Sequence, residues 1–332
     1  MCCQDDLYWK AKSISQFEHS PKFKNKSAIQ TWKQFYRLSQ IPRYLIIGSE
    51  IDEFRIIDVK DKILANINQK NNINTTVCID HFNLYGFKNL PDIFKYDSIL
   101  FFSYCGFRQK SIGSILASYV DQGGGVVIAA YANCGKGNRL EGRWLEENYS
   151  PFSDGATQRV SFLKMGKRLV PNHPILQNIN NLSGGAQSSH SDARVSPDAV
   201  VISEWDNGRP LISELMTKTS PVIGLNFYPP SDEFDRSSWD ASTDGYQLIF
   251  NSLHYVSTRF SNNHHYFNNN NSDSESNYIF KDRDNNCNNN NRFSLQTLSV
   301  SISQDNLDTT ADSFTSSFSS SSSSSDESIN DF

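Results

Sequence analysis

Residues 96–134 read YDSILFFSYCGFRQKSIGSILASYVDQGGGVVIAAYANC. Two apolar runs within it, Ser98 to Phe102 and Val126 to Tyr131, are too short for helices and rich in β-branched and aromatic residues, which suits strands buried on both faces. Between them Ile112, Ile115, Leu116, Tyr119 and Val120 recur at spacings of three and four, lining one face of a helix that Gly123-Gly124-Gly125 then stops. Strand, helix, glycine stop and strand make a βαβ unit with parallel strands and a right-handed crossover. A parallel sheet needs cover on both faces, so the expected fold class is α/β: a three-layer α/β/α sandwich around a mostly parallel, doubly wound sheet.

Upstream, Arg43 to Gly48 reads as the first strand and Phe54 to about Ile67 as a helix buried through Ile56, Ile57, Ile63, Leu64 and Ile67. Asn74 to Ile79 reads as the second strand, with Asp80 and His81 at its carboxyl end. Ligands of doubly wound sheets sit beyond the carboxyl ends of the strands. That rule selects Ser49 and Glu50, Asp80 and His81, Tyr104, Cys105 and Gly106, and Ala132, Asn133, Cys134 and Gly135. Downstream, Arg159 to Lys164 and Leu169 to Val170 read as short strands about a turn at Gly166. Ala199 to Glu204 and Pro210 to Glu214 read as a hairpin turning at Asp206-Asn207-Gly208, and Val222 to Phe227 as a last strand. Asp244 caps a closing helix from Gly245 to about Arg259.

Three segments follow from composition: a polar, basic lead-in over 1–40, a domain over 41–260, and an Asn- and Ser-rich tail over 261–332. In the lead-in, Ile29, Trp32, Phe35 and Tyr36 keep helical spacing behind Ser27, predicting a short amphipathic helix docked on the domain's flank. The tail holds ten acidic and three basic residues, a net of −7, and too little apolar surface to offset its ordering entropy, so it is expected to be disordered. Its run from Ser319 to Ser325 meets Asp326-Glu327, a candidate phosphorylation segment. The remaining residues carry 26 acidic and 28 basic groups and offer no footprint for nucleic acid. Six cysteines without metal-ligand spacing indicate a reduced compartment, and no apolar run approaches the ~20 residues of a membrane span. The expectation is a soluble, cytoplasmic protein with no cofactor and no metal, Cys2 and Cys3 being ordinary thiols.

The order YDSILFF, SYVDQGGGVVIAAYA, HPIL, SEWDNGRPLI, VIGLNFYPP and GYQLIFNSLHYV, over about residues 41–258, resembles the class I glutamine amidotransferase-like superfamily, nearest its trehalose-utilisation-like branch. The resemblance implies a flavodoxin-like sandwich. It also implies a reactive cysteine, in a Gly-x-Cys-x-Gly elbow, at a position that here is Tyr131, and a histidine where this chain has Ala130. The superfamily's His-x-Glu pair has no counterpart over the same residues. Cys134 lies three residues beyond the elbow position, without the flanking glycines.

Three functional readings follow. The preferred one is a non-catalytic amidotransferase-like module that holds a small ligand or protein partner at the strand ends through Glu50, Asp80, His81, Tyr104, Cys105, Tyr131 and Asn133. The second is a cysteine-dependent amidotransferase or hydrolase using Cys134, whose thiolate needs His173 or His190 folded over it. The third is a carbohydrate-related enzyme of the trehalose-utilisation kind using Asp80, His81 and Glu50. Trp205, Arg209, Arg143 and Trp144 read as packing at the β-rich edge rather than as a groove for sugar or peptide.

Overall fold

The computed structural model describes residues 2–70, 76–86, 89–107, 109–133, 138–153, 155–159, 161–187 and 189–258. The chain divides into two units, Met1–Ser272 and Asp273–Phe332. Every described residue belongs to the first, and the tail readings fall outside the described residues.

Three helices come first: α1 (Cys2–Phe17), α2 (Pro21–Lys24) and α3 (Trp32–Ser39). The sheet then begins with β1 (Arg43–Ser49), α4 (Phe54–Lys70), β2 (Cys78–Asn83), β3 (Ser98–Ser103), α5 (Lys110–Asp121) and β4 (Gly125–Ala129). An irregular stretch follows, with α6 (Arg143–Glu146), β5 (Thr157–Arg159), β6 (Met165–Arg168), a 3-10 turn at Pro174–Leu176 and β7 (Ser189–Ser191). The chain returns through β8 (Ala199–Trp205), β9 (Pro210–Met216), β10 (Pro221–Leu225) and α7 (Gly245–Thr258). Eight strands form one sheet in the order β2-β1-β3-β4-β10-β9-β8-β6, while β5 and β7 pair separately. The first five are mutually parallel, and β9, β8 and β6 extend the sheet by antiparallel pairing. Chain direction reverses its spread between β1 and β3, the place where doubly wound sheets open a crevice.

The two faces carry separate cores. On one, Tyr44, Ile46, Leu100, Phe102 and Val127 pack under α4 and α7; on the other, Leu45, Ile47, Phe101, Val126 and Ile128 pack under α5. The expected α/β/α sandwich is thus present, and so is the βαβ unit, its second strand running over Gly125–Ala129 rather than Val126 to Tyr131. Gly123 has φ +94, and a Cβ there would collide with the His19 carbonyl, so this glycine both stops α5 and admits the lead-in.

Several boundaries differ from the sequence reading. The second strand starts at Cys78 rather than Asn74 and runs on to Asn83, so Asp80 and His81 lie mid-strand, not at its carboxyl end. An edge strand tolerates such polar residues because only part of it is covered, which hides it from a search for apolar runs. Gly166 lies inside β6 rather than at a turn. In the lead-in the capping residue is Thr31, in a capping box with Gln34, not Ser27. The long helix α1 is announced only by the short, exposed repeat of Leu7, Ala11 and Ile14. It is held by Trp9 against Tyr36 (5.1 Å between ring centres) and Phe17 against Phe35 (6.1 Å).

The lead-in is pinned to the amino edge of the sheet by Lys22 Nζ to Asp97 Oδ2 at 2.5 Å, an ion pair whose lysine side chain is 8% exposed. The Arg43 amide donates to the same Asp97 oxygen (2.7 Å), and Lys24 Nζ donates to the Gln122 carbonyl (2.9 Å). Removing one member of a buried pair leaves the other charge desolvated. Lys22→Met is therefore expected to lower unfolding free energy by roughly 3 kcal/mol in urea titrations, with part of the loss recovered in Lys22→Met/Asp97→Asn.

Candidate functional site

Glu50 follows the last residue of β1 and is fully buried. Asn83, at the end of β2, clamps its backbone: Asn83 Oδ1 accepts from the Glu50 amide (3.2 Å) and Asn83 Nδ2 donates to the Glu50 carbonyl (2.9 Å). The Glu50 carboxyl spans the β1–β3 reversal, its Oε1 accepting from the Tyr104 amide (2.9 Å) and its Oε2 from the Tyr228 hydroxyl (2.7 Å). Arg55, the second residue of α4, donates to the Tyr228 hydroxyl (3.3 Å) and lies over the rings of Tyr104 (5.5 Å) and Phe234 (5.2 Å). A side chain at Gly48 would strike Ile56, so the glycine lets α4 bring Arg55 this close.

Three tyrosines complete the group. Tyr131 lies 5.6 Å from Tyr228 and 6.0 Å from Tyr104, and Tyr104 lies 6.0 Å from Tyr228. The Ala130–Tyr131 peptide is cis, and the Tyr131 amide donates to the Ser103 carbonyl (3.1 Å). Tyr131 is 6% exposed and Tyr104 45%, so the cluster runs from the core to the surface. Around it Ile51, Phe54 and Tyr85 are exposed. Beyond Tyr228 a crevice of about 10 Å³, room for about one water, is lined by Trp205, Phe227, Trp239 and Ser189.

Burial pushes the Glu50 carboxyl up to about 7, against the opposing pull of the Tyr228 hydroxyl, Arg55 and the Tyr104 amide. It also raises the Tyr228 phenol, which the adjacent Glu50 raises further, so the hydroxyl stays a donor. Burial pushes the Cys105 thiol up as well, with Glu50 adding to the rise and Arg55 opposing it, which disfavours the thiolate a nucleophile needs. A carboxyl ionising near neutrality can give or take a proton at this edge.

The remaining candidates fall elsewhere. Successive residues of a strand face opposite ways. Asp80 accepts from Arg43 (3.0 Å) and Tyr96 (2.8 Å), whereas His81 sits 3.5 Å from Glu53. Burial opposes the Asp80 charge, but Tyr96 and Arg43 outweigh it and hold the carboxyl below its usual range. Glu50, Asp80 and His81 therefore belong to three separate groups, and among the described residues no three His, Cys, Asp or Glu side chains gather as a metal site. His173 caps the 3-10 turn, its Nδ1 accepting from the Ile175 amide (3.3 Å) and its Nε2 facing Glu214 (3.4 Å), which also accepts from Tyr255 (2.7 Å). His190 is buried on β7, 6.3 Å from the Trp205 ring. Asn133 is 5% exposed, and among the described residues neither of its side-chain polar atoms has a hydrogen-bond partner. Cys134 lies outside the described residues. Trp205 and Trp144 are buried in opposite cores, and Arg143 is paired with Asp121 and Glu147, so these residues line no common groove.

Three members of the site were missed in the sequence, Asn83 because β2 was read as ending at Ile79 rather than at Asn83 itself. Tyr228 follows the fifth parallel strand, and extending the strand-end rule to that strand would have selected it. Arg55 carries no such signal, since its place depends on how closely α4 approaches.

No family model matches the chain. No curated protein matches it either. Among solved structures it is similar to a ThuA-like protein from Bacteroides uniformis, at 16% identity and a TM-score of 0.47 over 65% of this chain and 92% of that one. A ThuA-like protein from Parabacteroides merdae gives 15% and 0.44 over 66% and 90%. A GMP synthase-type protein from Thermoplasma acidophilum gives 8% and 0.38 over 65% and 94%. Among the described residues no helix is long and apolar enough to cross a membrane.

The folded protein keeps the Glu50 proton up to about 7, whereas the unfolded chain releases it near 4.5. The unfolded state is therefore the one relieved by ionisation, and stability falls as pH rises between those values, then levels off. Glu50→Gln is expected to remove a fall on the order of 3 kcal/mol between pH 4.5 and 7, read from urea midpoints across that range.

Proposed function

We infer that residues 41–260 act as an amidotransferase-like binding module whose strand-end site holds a ligand or partner without turning it over. The observation that carries this reading is the ring cluster of Tyr104, Tyr131 and Tyr228 over the buried Glu50. Tyr131 stands where the resemblance would put a nucleophile. The Glu50 oxygens are engaged by Tyr104 and Tyr228 rather than aimed at an open pocket. The exposed edge of the cluster has the makings of a contact surface: Tyr104, Ile51, Phe54 and Tyr85 present apolar area beside Arg55, and tyrosine and arginine are the residue types that dominate binding energy at interfaces. The Cys134 and carbohydrate readings have no comparable support among the described residues, since His173 is engaged with Glu214, and Asp80 and His81 are bonded away from Glu50.

The full chain is expected to leave glutamine, simple peptide amides and p-nitrophenyl esters at their buffer rates of hydrolysis, with Cys134→Ala indistinguishable from the parent. Hydrolysis that disappears in either Cys134→Ala or Glu50→Gln would sink the binding-module reading.

A further inference from the structure

The lead-in is a compact helical unit with two unlike sides. Its inner side is fixed to the sheet by Lys22 on Asp97, His19 at Gly123 and Lys24 on Gln122, and it buries Phe35 and Ser39. Its exposed residues are unusually apolar. Of the 15 large hydrophobic residues exposed among the described residues, six (Leu7, Tyr8, Ile14, Ile29, Leu38 and Ile41) fall within the first 41. Leu7 and Ile14 lie two helical turns apart on α1 with exposed Ala11 between them, so they form one stripe. Leu38 is 62% exposed on α3, which packs against α1 through Trp9 and Tyr36.

Charge is concentrated on the same unit. Residues 1–40 hold seven basic and three acidic side chains, although the rest of the chain is acidic; with Lys22 and Lys24 engaged on the sheet and Lys33 beside Asp5 (3.2 Å), Lys10, Lys12, Lys26 and Arg37 supply the remaining positive charge. Lys10, Lys12, Lys26 and Lys33 each lay an ammonium over a tryptophan or tyrosine ring, at 4.7 to 5.8 Å. Lysines snorkelling beside tryptophan and tyrosine, with aliphatic tips projecting past them, are the composition that settles at a lipid–water boundary. An acidic protein partner would satisfy the charge. The aliphatic tips, however, sit on α1, on α3 and on the turn holding Ile29, which is 95% exposed, and scattered tips need no matching groove on a lipid surface.

We propose that the α1–α3 unit is a peripheral membrane-docking surface that adsorbs to anionic lipid through its lysines and inserts Leu7, Ile14 and Leu38 at the headgroup boundary. Spread over these few residues, the attraction is reversible and salt-sensitive. It is separate from the strand-end site, because the lead-in is docked at the opposite, amino edge of the sheet.

The test is cosedimentation of the full chain with sucrose-loaded vesicles of phosphatidylcholine, with or without about 30% phosphatidylserine, at about 0.1 M and about 0.5 M salt. Expected is sedimentation with the phosphatidylserine vesicles at low salt and its loss at high salt or without phosphatidylserine. Leu7→Ser/Leu38→Ser should lower the partition coefficient about tenfold with an unchanged melting curve, while Val200→Ser, an exposed apolar residue on β8, should leave it unchanged. The proposal is overturned if the parent stays in the supernatant with phosphatidylserine vesicles at low salt, or if the double variant sediments like the parent. Capture by polyglutamate without vesicle binding would overturn it equally, and would assign the surface to an acidic protein.

Discussion

The central strands β3 and β4 are buried at every position, so each side chain alternating from them must meet a cover, and a helix has to lie on each face. α5 supplies one layer, α4 and α7 the other. Close approach depends on missing side chains: a Cβ at Gly125 would strike Val256 of α7, and one at Gly113 would strike Glu141 and Trp144. The amino edge of the sandwich is then taken up by the lead-in, where Lys22 neutralises Asp97 in a place water scarcely reaches. That leaves the carboxyl edge as the part of the sheet whose side chains are not all spent on holding layers together.

At that edge the same demand for burial sets the chemistry. A carboxylate at Glu50 would be costly to desolvate, and a phenol, an amide and a nearby guanidinium only partly offset the cost, so proton and charge are nearly balanced at neutral pH. The three surrounding rings pack against one another at 5.6 to 6.0 Å beside this carboxyl, and only Tyr104 reaches well into solvent.

Much of the layered fold was legible because its signals are local. Ser98 to Phe102, the stripe on α5 and the glycine stop each announce themselves within a few residues, and the strand-end rule then led to Glu50 and Tyr104. What was illegible depends on contacts distant in sequence. The placement of β2 is decided by pairing with β1, since its own residues, CIDHFN, alternate too weakly to mark it. α1 is held as a helix because Trp9 and Phe17 meet the α3 rings of Tyr36 and Phe35, 27 and 18 residues away, rather than by a buried apolar period of its own. His173, at the start of the 3-10 turn, meets its carboxylate, Glu214, on β9, and no spacing in the chain hints at that pairing.

The two ends of the eight-stranded sheet bear on how the molecule meets its neighbours. One end is β2, which carries Asp80 and His81 in ion pairs along its length. The other is β6, four residues long with an irregular register, where Arg168 reaches over to the carbonyls of Ile179 and Asn180. A charged edge and a short, irregular edge both resist the addition of a foreign strand. Each end of this sheet is thereby blunted against extension by another chain, so the eight strands stop where their own side chains make a ninth costly.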